Sequence, residues 1–398
     1  MQSESYFSIF KNVAKLIPLN FQSIPGLEEI KSQLINSVRE GKIAHALLFQ
    51  GKRGVLNLPI ALAFAQYLHC ENRGKEDVCG QCASCQLSKK FIHPDTHFAY
   101  PVGNMKSTLE TGTDEELLRA ELKKYWRSFL IENPFGSEQD WIAHYGGEDK
   151  QPIISKEESR EIIKSLSLKS FQSKFKVMII WQPEMMHPAA ANGILKIVEE
   201  PPPNTIFILV SSRIEQLLPT ILSRTQIVTI PLLSDEQIEE QLINAEVSKS
   251  KIDNVVALAA GNLNQALRLA EEEEAHHHGV FLDWMRSCFK GDFARIISLA
   301  DAFHEKDRLY QNTFLQYAMS MIRETLIGLC GADTLHRTRG EEREFVNKFK
   351  GVFNTHKLNR AYQLLNEAGY FIDRNGSAKM IFTDLSIQFN RVMKQGST

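Results

Sequence analysis

Five short apolar runs recur along the first part of the chain: ALLFQ at Ala46 to Gln50, HFAY at His97 to Tyr100, KVMIIW at Lys176 to Trp181, TIFILVS at Thr205 to Ser211 and QIVTI at Gln226 to Ile230. Helical patterns lie between most of them. Strands that are apolar on both faces and alternate with helices form a parallel sheet covered on each side. The sequence therefore predicts an α/β domain with a five-stranded parallel sheet over residues 1–232.

At 398 residues the chain exceeds what one hydrophobic core serves, so further domains are expected. Ser234 stands as an N-cap before DEQIEEQLINAE, and Asn262 follows Gly261 before LNQALRLAEEEE, which together predict a small helical lid domain over 233–278. The triplet His276, His277 and His278 follows four glutamates. Neighbouring helical residues point in different directions, so the triplet reads as solvated linker and not as a metal tract. Residues 279–398 keep a 3.6-residue apolar period with few strand signals, predicting an all-helical C-terminal domain. The stretch from about 105 to 151 fits neither pattern. It carries DEELLRAELKKYWRSFLIE and then ENPFGSEQDWIAHYGGEDKQP, and reads as an insert of unassigned role.

The formal net charge of -2 gives no chain-wide basic excess of the kind that holds nucleic acid unaided. The first residues, MQSESYFSIF, contain no basic segment leading into an apolar one, and no run of about 18 apolar residues follows that could span a bilayer. A cytoplasmic protein without membrane association is expected. Lys196 and the cluster Lys169, Lys174 and Lys176 are either solvated charges or residues that DNA could meet.

Four of the six cysteines, Cys70, Cys79, Cys82 and Cys85, fall within sixteen positions in the spacing Cys-x8-Cys-x2-Cys-x2-Cys. In a reducing compartment such clustering favours metal over disulfides, and four thiolates suit a tetrahedral structural zinc with no open coordination position. Cys288 and Cys330 sit in apolar helical patterns, where a buried inert thiol is expected.

After the first strand comes GKRGVLNL, Gly51 to Leu58, followed by the apolar helical pattern PIALAFAQYL. That is where a phosphate-binding loop would lie. Such a loop needs a second glycine for close backbone approach, a lysine to neutralise phosphate and a hydroxyl for magnesium. Those three places hold Leu56, Asn57 and Leu58, while Gly51 and Gly54 remain. The expectation is a degenerate loop that does not bind ATP, although GKRG alone could be an ordinary tight turn.

The order HALLFQGKRGV, four cysteines, HPD at His93 to Asp95, NGILKIVEEPPPNTIFILVSS and LLPTILSRT closely resembles the gamma and delta-prime clamp-loader subunits of bacterial DNA polymerase III, which are AAA+ proteins. The resemblance covers residues 45 to 225 apart from the insert, and LKIVEEPP with ILSRT are its most specific parts. It implies an AAA+ domain followed by a lid and a helical collar, with the cysteine knot in the same place. In that family an Asp-Glu pair ends the third core strand and positions magnesium and water; this chain has Trp181 and Gln182. Glu184, two residues on, reads as a solvated charge more readily than as a substitute carboxylate. The polar sensor would be Ser211 or Ser212, and the lid arginine aligns with Asn264.

What survives is the family's Ser-Arg-Cys motif, here Ser223, Arg224 and Thr225. The resemblance implies that Arg224 acts in trans, as an arginine finger directed at the ATP of an adjacent gamma/tau-type subunit. The plain alternative is an ordinary surface ion pair. The implied assembly is a hetero-pentamer with a delta subunit, acting on the sliding clamp and primer-template DNA, with polymerase activity in other subunits. Two other readings stay open: a divergent ATP-hydrolysing gamma-type subunit, and a zinc-bearing nucleic-acid binding module.

Overall fold

A computed structural model of the chain describes residues 20–52, 54–103, 115–146, 152–167, 169–247, 249–271, 274–306, 308–332, 340–374 and 376–394. The elements run α1 (Glu28–Arg39), β1 (Ala46–Gln50), α2 (Asn57–His69), α3 (Ala83–Ser88), β2 (Thr96–Ala99), α4 (Glu115–Glu132), α5 (Glu138–Tyr145), α6 (Lys156–Ser167), β3 (Lys176–Trp181), α7 (Pro188–Glu199), β4 (Thr205–Ser211), α8 (Pro219–Leu222) and β5 (Gln226–Thr229). Helices follow: α9 (Asp235–Asn244), α10 (Lys249–Ala259), α11 (Leu263–Glu271), α12 (Glu274–Lys290), α13 (Phe293–His304), α14 (Arg308–Leu329), α15 (Gly340–Phe349), α16 (Thr355–Asp373) and α17 (Ala378–Lys394).

The strands form one sheet in the order β2-β3-β4-β1-β5, with every pairing parallel. This is the five-stranded parallel α/β arrangement that the apolar runs predict. β3 and β4 are buried along their whole length, which is why they read as unbroken apolar runs. β5 departs from the expectation: it is an edge strand and Ile227 on it is exposed. α7 lays Ala190, Ala191, Ile194 and Val198 on the sheet against Met178, Ile180, Phe207 and Leu209. A helix with apolar residues at this spacing has one face to bury, and each large side chain contributes about 1.5–3 kcal/mol when fully covered. α2 is buried on every side, so its sequence lacks a polar face.

The insert is a folded excursion whose two ends meet. Val102 and Ile153 exchange backbone hydrogen bonds of 3.0 and 3.1 Å at its base. Residues 104–114 and 147–151 of it lie outside the described residues. Its α4 and α5 pack an aromatic cluster against the sheet: Trp126 stacks on Tyr100 at 4.3 Å, and meets Trp141 at 5.1 Å and Trp181 at 5.2 Å between ring centroids. The indole N–H of Trp141 donates to the Pro101 carbonyl at 2.7 Å, which satisfies the polar edge of a fully buried ring. Ser137 caps α5 in a reciprocal pair with Asp140.

The chain divides into two compact units, Met1–Glu246 with Gly261–Arg268, and Val247–Ala260 with Leu269–Thr398. In the first, Ser234 caps α9 in a capping box with Gln237, as its sequence position predicts. Asn262 Oδ1 accepts from Gln265 N at 3.0 Å at the start of α11. The second unit is helical throughout its described residues. Its core gathers Phe281, Trp284, Phe314, Phe382 and Phe389, and Trp284 Nε1 donates to Ser386 Oγ at 2.8 Å.

Three expectations are corrected. His277 and His278 are buried in α12, with His278 Nδ1 2.7 Å from Tyr317 Oη, so they are core residues of a continuous helix and not solvated linker; the side chain of His276 is outside the described residues. Cys330 is exposed at the end of α14, whereas Cys288 is buried, and burial pushes its thiol up to about 12. Lys176 is buried, its ammonium donating to the Ser165 and Leu166 carbonyls at 3.2 and 3.3 Å, which removes it from any DNA-facing cluster.

Candidate functional site

Gly51 to Leu58 does join β1 to α2, but the side chain of Asn57 in it is bonded within the chain. Asn57, where a phosphate loop has lysine, donates Nδ2 to the Ser211 carbonyl at 3.1 Å and accepts from Leu58 N at 2.9 Å through Oδ1. The next residue, Pro59, has no N–H. Two of the backbone donors that a helix N-terminus offers an anion are thereby removed. Gly54 has φ +77, and a side chain there would run into that of Asn262, so packing alone requires the glycine. Leu56 and Leu58 are buried apolar residues.

The end of β3 is likewise occupied. Trp181 belongs to the aromatic cluster, and Gln182 Nε2 donates to Ser212 Oγ at 2.9 Å. Ser211 is fully buried and its Oγ accepts from Arg213 N at 3.2 Å. Glu184 corrects the sequence reading: it is not a solvated charge. Its Oε1 accepts from the Ser212 and Arg213 amides at 3.0 and 3.1 Å, and burial raises its pKa above the ordinary carboxylate value. It ties down the loop after β4. Asn264 donates to the Phe135 carbonyl at 2.9 Å and to Asp140 Oδ2 at 3.1 Å, both in the insert.

Arg224 follows α8 at the surface. Its Nε lies 2.9 Å from Glu199 Oε2, and its Nη1 donates to the Thr220 carbonyl at 3.1 Å and to Ser223 Oγ at 3.2 Å. The Ser223 hydroxyl in turn donates to the Thr220 carbonyl at 3.2 Å. Thr225, in the place of cysteine, bonds back to Ile221 and Leu222 carbonyls. The guanidinium is thus oriented by neutral acceptors and one exposed carboxylate.

The sulfurs of Cys70, Cys79, Cys82 and Cys85 all lie within 4.8 Å of one another, with Cys70 and Cys79 3.6 Å apart and Cys79 and Cys85 4.0 Å apart. Tetrahedral ligation with Zn–S bonds of about 2.3 Å requires sulfur separations of about 3.8 Å, so the donor set fits a zinc ion. Backbone amides of Cys79, Cys82 and Cys85 point at the sulfurs of Cys70, Cys79 and Cys82 at 3.3 to 3.4 Å. The N–H groups of Gln81 and Cys82 draw the Cys79 thiol down to about 6. Asp77 joins this module to the chain's beginning by accepting from Phe21 and Gln22 N at 3.2 and 2.8 Å.

Several site residues escape a sequence reading. Glu138, which lines the recess at the phosphate-loop position, pairs with Arg213, and Asp140 on the same helix pairs with Arg268; only the capping pattern Ser137-x-x-Asp140 hinted at an ordered helix there. Asp95, within HPD, is a second case. Its carboxylate accepts from the backbone N–H groups of Phe171, Gln172 and Ser173 at 2.6 to 2.8 Å, which fixes the loop entering β3.

The DNA polymerase III subunit delta' of Bacillus subtilis strain 168 is 25% identical over 273 residues, covering 69% of this chain and 64% of that protein. The DNA polymerase III subunit gamma of Buchnera aphidicola is 25% identical over 260 residues, covering 64% of this chain and 58% of that protein. The chain therefore spans less than two thirds of either relative. A solved gamma subunit-related protein of DNA polymerase III from Thermotoga maritima aligns over 93% of this chain and 100% of that one, at 12% identity and a TM-score of 0.41. The family model described as DNA polymerase III, delta subunit, matches residues 26–234, more than half of the 398. The chain belongs to that DNA polymerase III delta subunit family.

Proposed function

We propose that the chain is a cytoplasmic clamp-loader subunit of the delta-prime type that hydrolyses no ATP itself and lends Arg224 to the ATP of a neighbouring gamma/tau-type subunit. Relatives called delta' and gamma match about equally well, so the site residues carry the distinction. The observation that carries it is a contrast. At the phosphate loop, β3 end and lid positions, Asn57, Trp181, Gln182 and Asn264 are bonded or packed inside the chain, whereas Arg224 stays at the surface in a pair that is cheap to exchange.

A guanidinium needs no phosphate loop of its own to stabilise charge on another protein's transferring phosphoryl group. Supplying it from a partner makes hydrolysis depend on assembly. On this reading the chain joins gamma/tau-type and delta subunits in a hetero-pentamer, with the sliding clamp and primer-template DNA as the assembly's substrates. Its C-terminal helices form the collar, 233–278 acts as a lid, and the four cysteines hold a structural zinc.

The test is reconstitution with Arg224→Ala and measurement of DNA- and clamp-stimulated ATPase. A fall of about 10- to 1,000-fold in turnover with assembly intact is expected for loss of a trans-acting arginine. Unchanged turnover in an intact complex removes Arg224 from the reaction.

A further inference from the structure

We propose that α5 of the insert, with its acidic first turn, is the resident ligand of this chain's own phosphate-loop site, and that it fastens the start of α11 to the α/β sheet without nucleotide. The recess at that site is lined on one side by Gly54, Leu58, Gln182 and Ser212 and on the other by Phe135 and Glu138 of the insert. Among the described residues the enclosed space that remains is about that of one water molecule.

Glu138 lines the recess, and it and Asp140 on the same helix both reach cationic side chains. Glu138 Oε2 lies 3.6 Å from Arg213 Nη2, beside the loop after β4. Asp140 pairs with Arg268 of α11, and these side chains are only 7% and 11% exposed. The Asp140 carboxylate also accepts from Asn264 Nδ2 at 3.1 Å and from its own cap, Ser137 N, at 2.6 Å. A buried charge needs partners, and here an anion from the chain itself pairs with Arg268 and accepts from Asn264.

The rest of the insert is shaped to deliver that anion. Trp181, at the end of β3, packs on Trp126 and Phe129 of α4 at 5.2 and 6.0 Å, seating the insert on the sheet. Asn264 holds the turn before α5 through the Phe135 carbonyl at 2.9 Å. Gly136 is required in that turn, because a Cβ there would come within 2.6 Å of the Phe129 ring. Thus Trp181 and Asn264, which depart from the family pattern at β3 and α11, are side chains the insert touches.

This proposal rests on the reading that the site takes no nucleotide, and hydrogen exchange separates the two. Amide exchange would be followed in the full chain for wild type, Asp140→Asn and Arg268→Met, each with and without ATP and magnesium. Both variants should speed exchange in α5 and in Leu263–Arg268 together, by about tenfold or more, because each breaks a buried pair from opposite ends. In wild type the two segments should also share one denaturant dependence of opening, a measurement that needs no variant. Acceleration confined to the helix carrying the substitution, or separate openings in wild type, overturns the proposal while leaving the non-binding reading intact. Protection of residues 51–58 by ATP and magnesium in wild type overturns both.

Discussion

Arg224 Nε sits 2.9 Å from Glu199 Oε2, which joins the two most specific sequence signatures, ILSRT and LKIVEEPP, at one point on the surface. The side chains are 31% and 56% exposed. Ion pairs so placed contribute about 0–1 kcal/mol, so a phosphate could displace the carboxylate at small cost. We expect Glu199→Gln to lower the melting temperature by no more than about 4 °C. In a reconstituted complex the same change should leave stimulated ATPase within about threefold of wild type, since the finger keeps its charge. Thermal denaturation and ATPase assays check both; a loss as large as that of Arg224→Ala would make Glu199 part of the site.

The cysteine cluster should carry about one zinc per chain, measured by elemental analysis of protein purified without chelator. Cys82→Ser should abolish that stoichiometry and destabilise the first unit by roughly 2 kcal/mol or more, because metal binding is coupled to local folding. The effect should extend to Phe21 and Gln22, whose amides Asp77 holds from within the module. A chain that contains no zinc yet melts as wild type does would remove the metal from the account.

Asp95 gives the acid limb of stability. Burial alone would raise its pKa, but the backbone N–H groups of Phe171, Ser173 and Gln172 outweigh that and hold it below the ordinary value of 3.8. A carboxyl depressed in the folded state stabilises above its unfolded pKa, and that contribution is lost as pH falls through the folded value. Wild type should therefore lose stability below about pH 4 more steeply than Asp95→Asn. At pH 7 the variant should be weaker by about 1–3 kcal/mol, since an amide cannot accept from all three donors. Urea unfolding at a series of pH values measures this; parallel curves for the two proteins would contradict it.

The sheet was legible because β1, β3 and β4 are buried on both faces and so leave unbroken apolar runs. β5 was legible as a strand, but its exposure as an edge was not, since QIVTI alternates too weakly to show which side is open. Spacing alone exposed the cysteine cluster, because four ligands of one type lie close in sequence. The network around Asp140 was hidden for the opposite reason. Its partners Asn264 and Arg268 lie more than 120 positions away, and nothing local marks such a meeting. His277 and His278 misled on composition, because a run of polar residues after glutamates hides which of them face Tyr310 and Tyr317.

On the proposed function this polypeptide holds no triphosphate of its own, its Asn57, Trp181 and Gln182 being committed to internal contacts. Calorimetric titration of the isolated chain with ATP and magnesium, followed by a phosphate-release assay on the same sample, tests it most directly. The expected result is no heat of binding up to millimolar ATP and no phosphate release above background. Saturable binding with turnover comparable to that of gamma/tau-type subunits would contradict it.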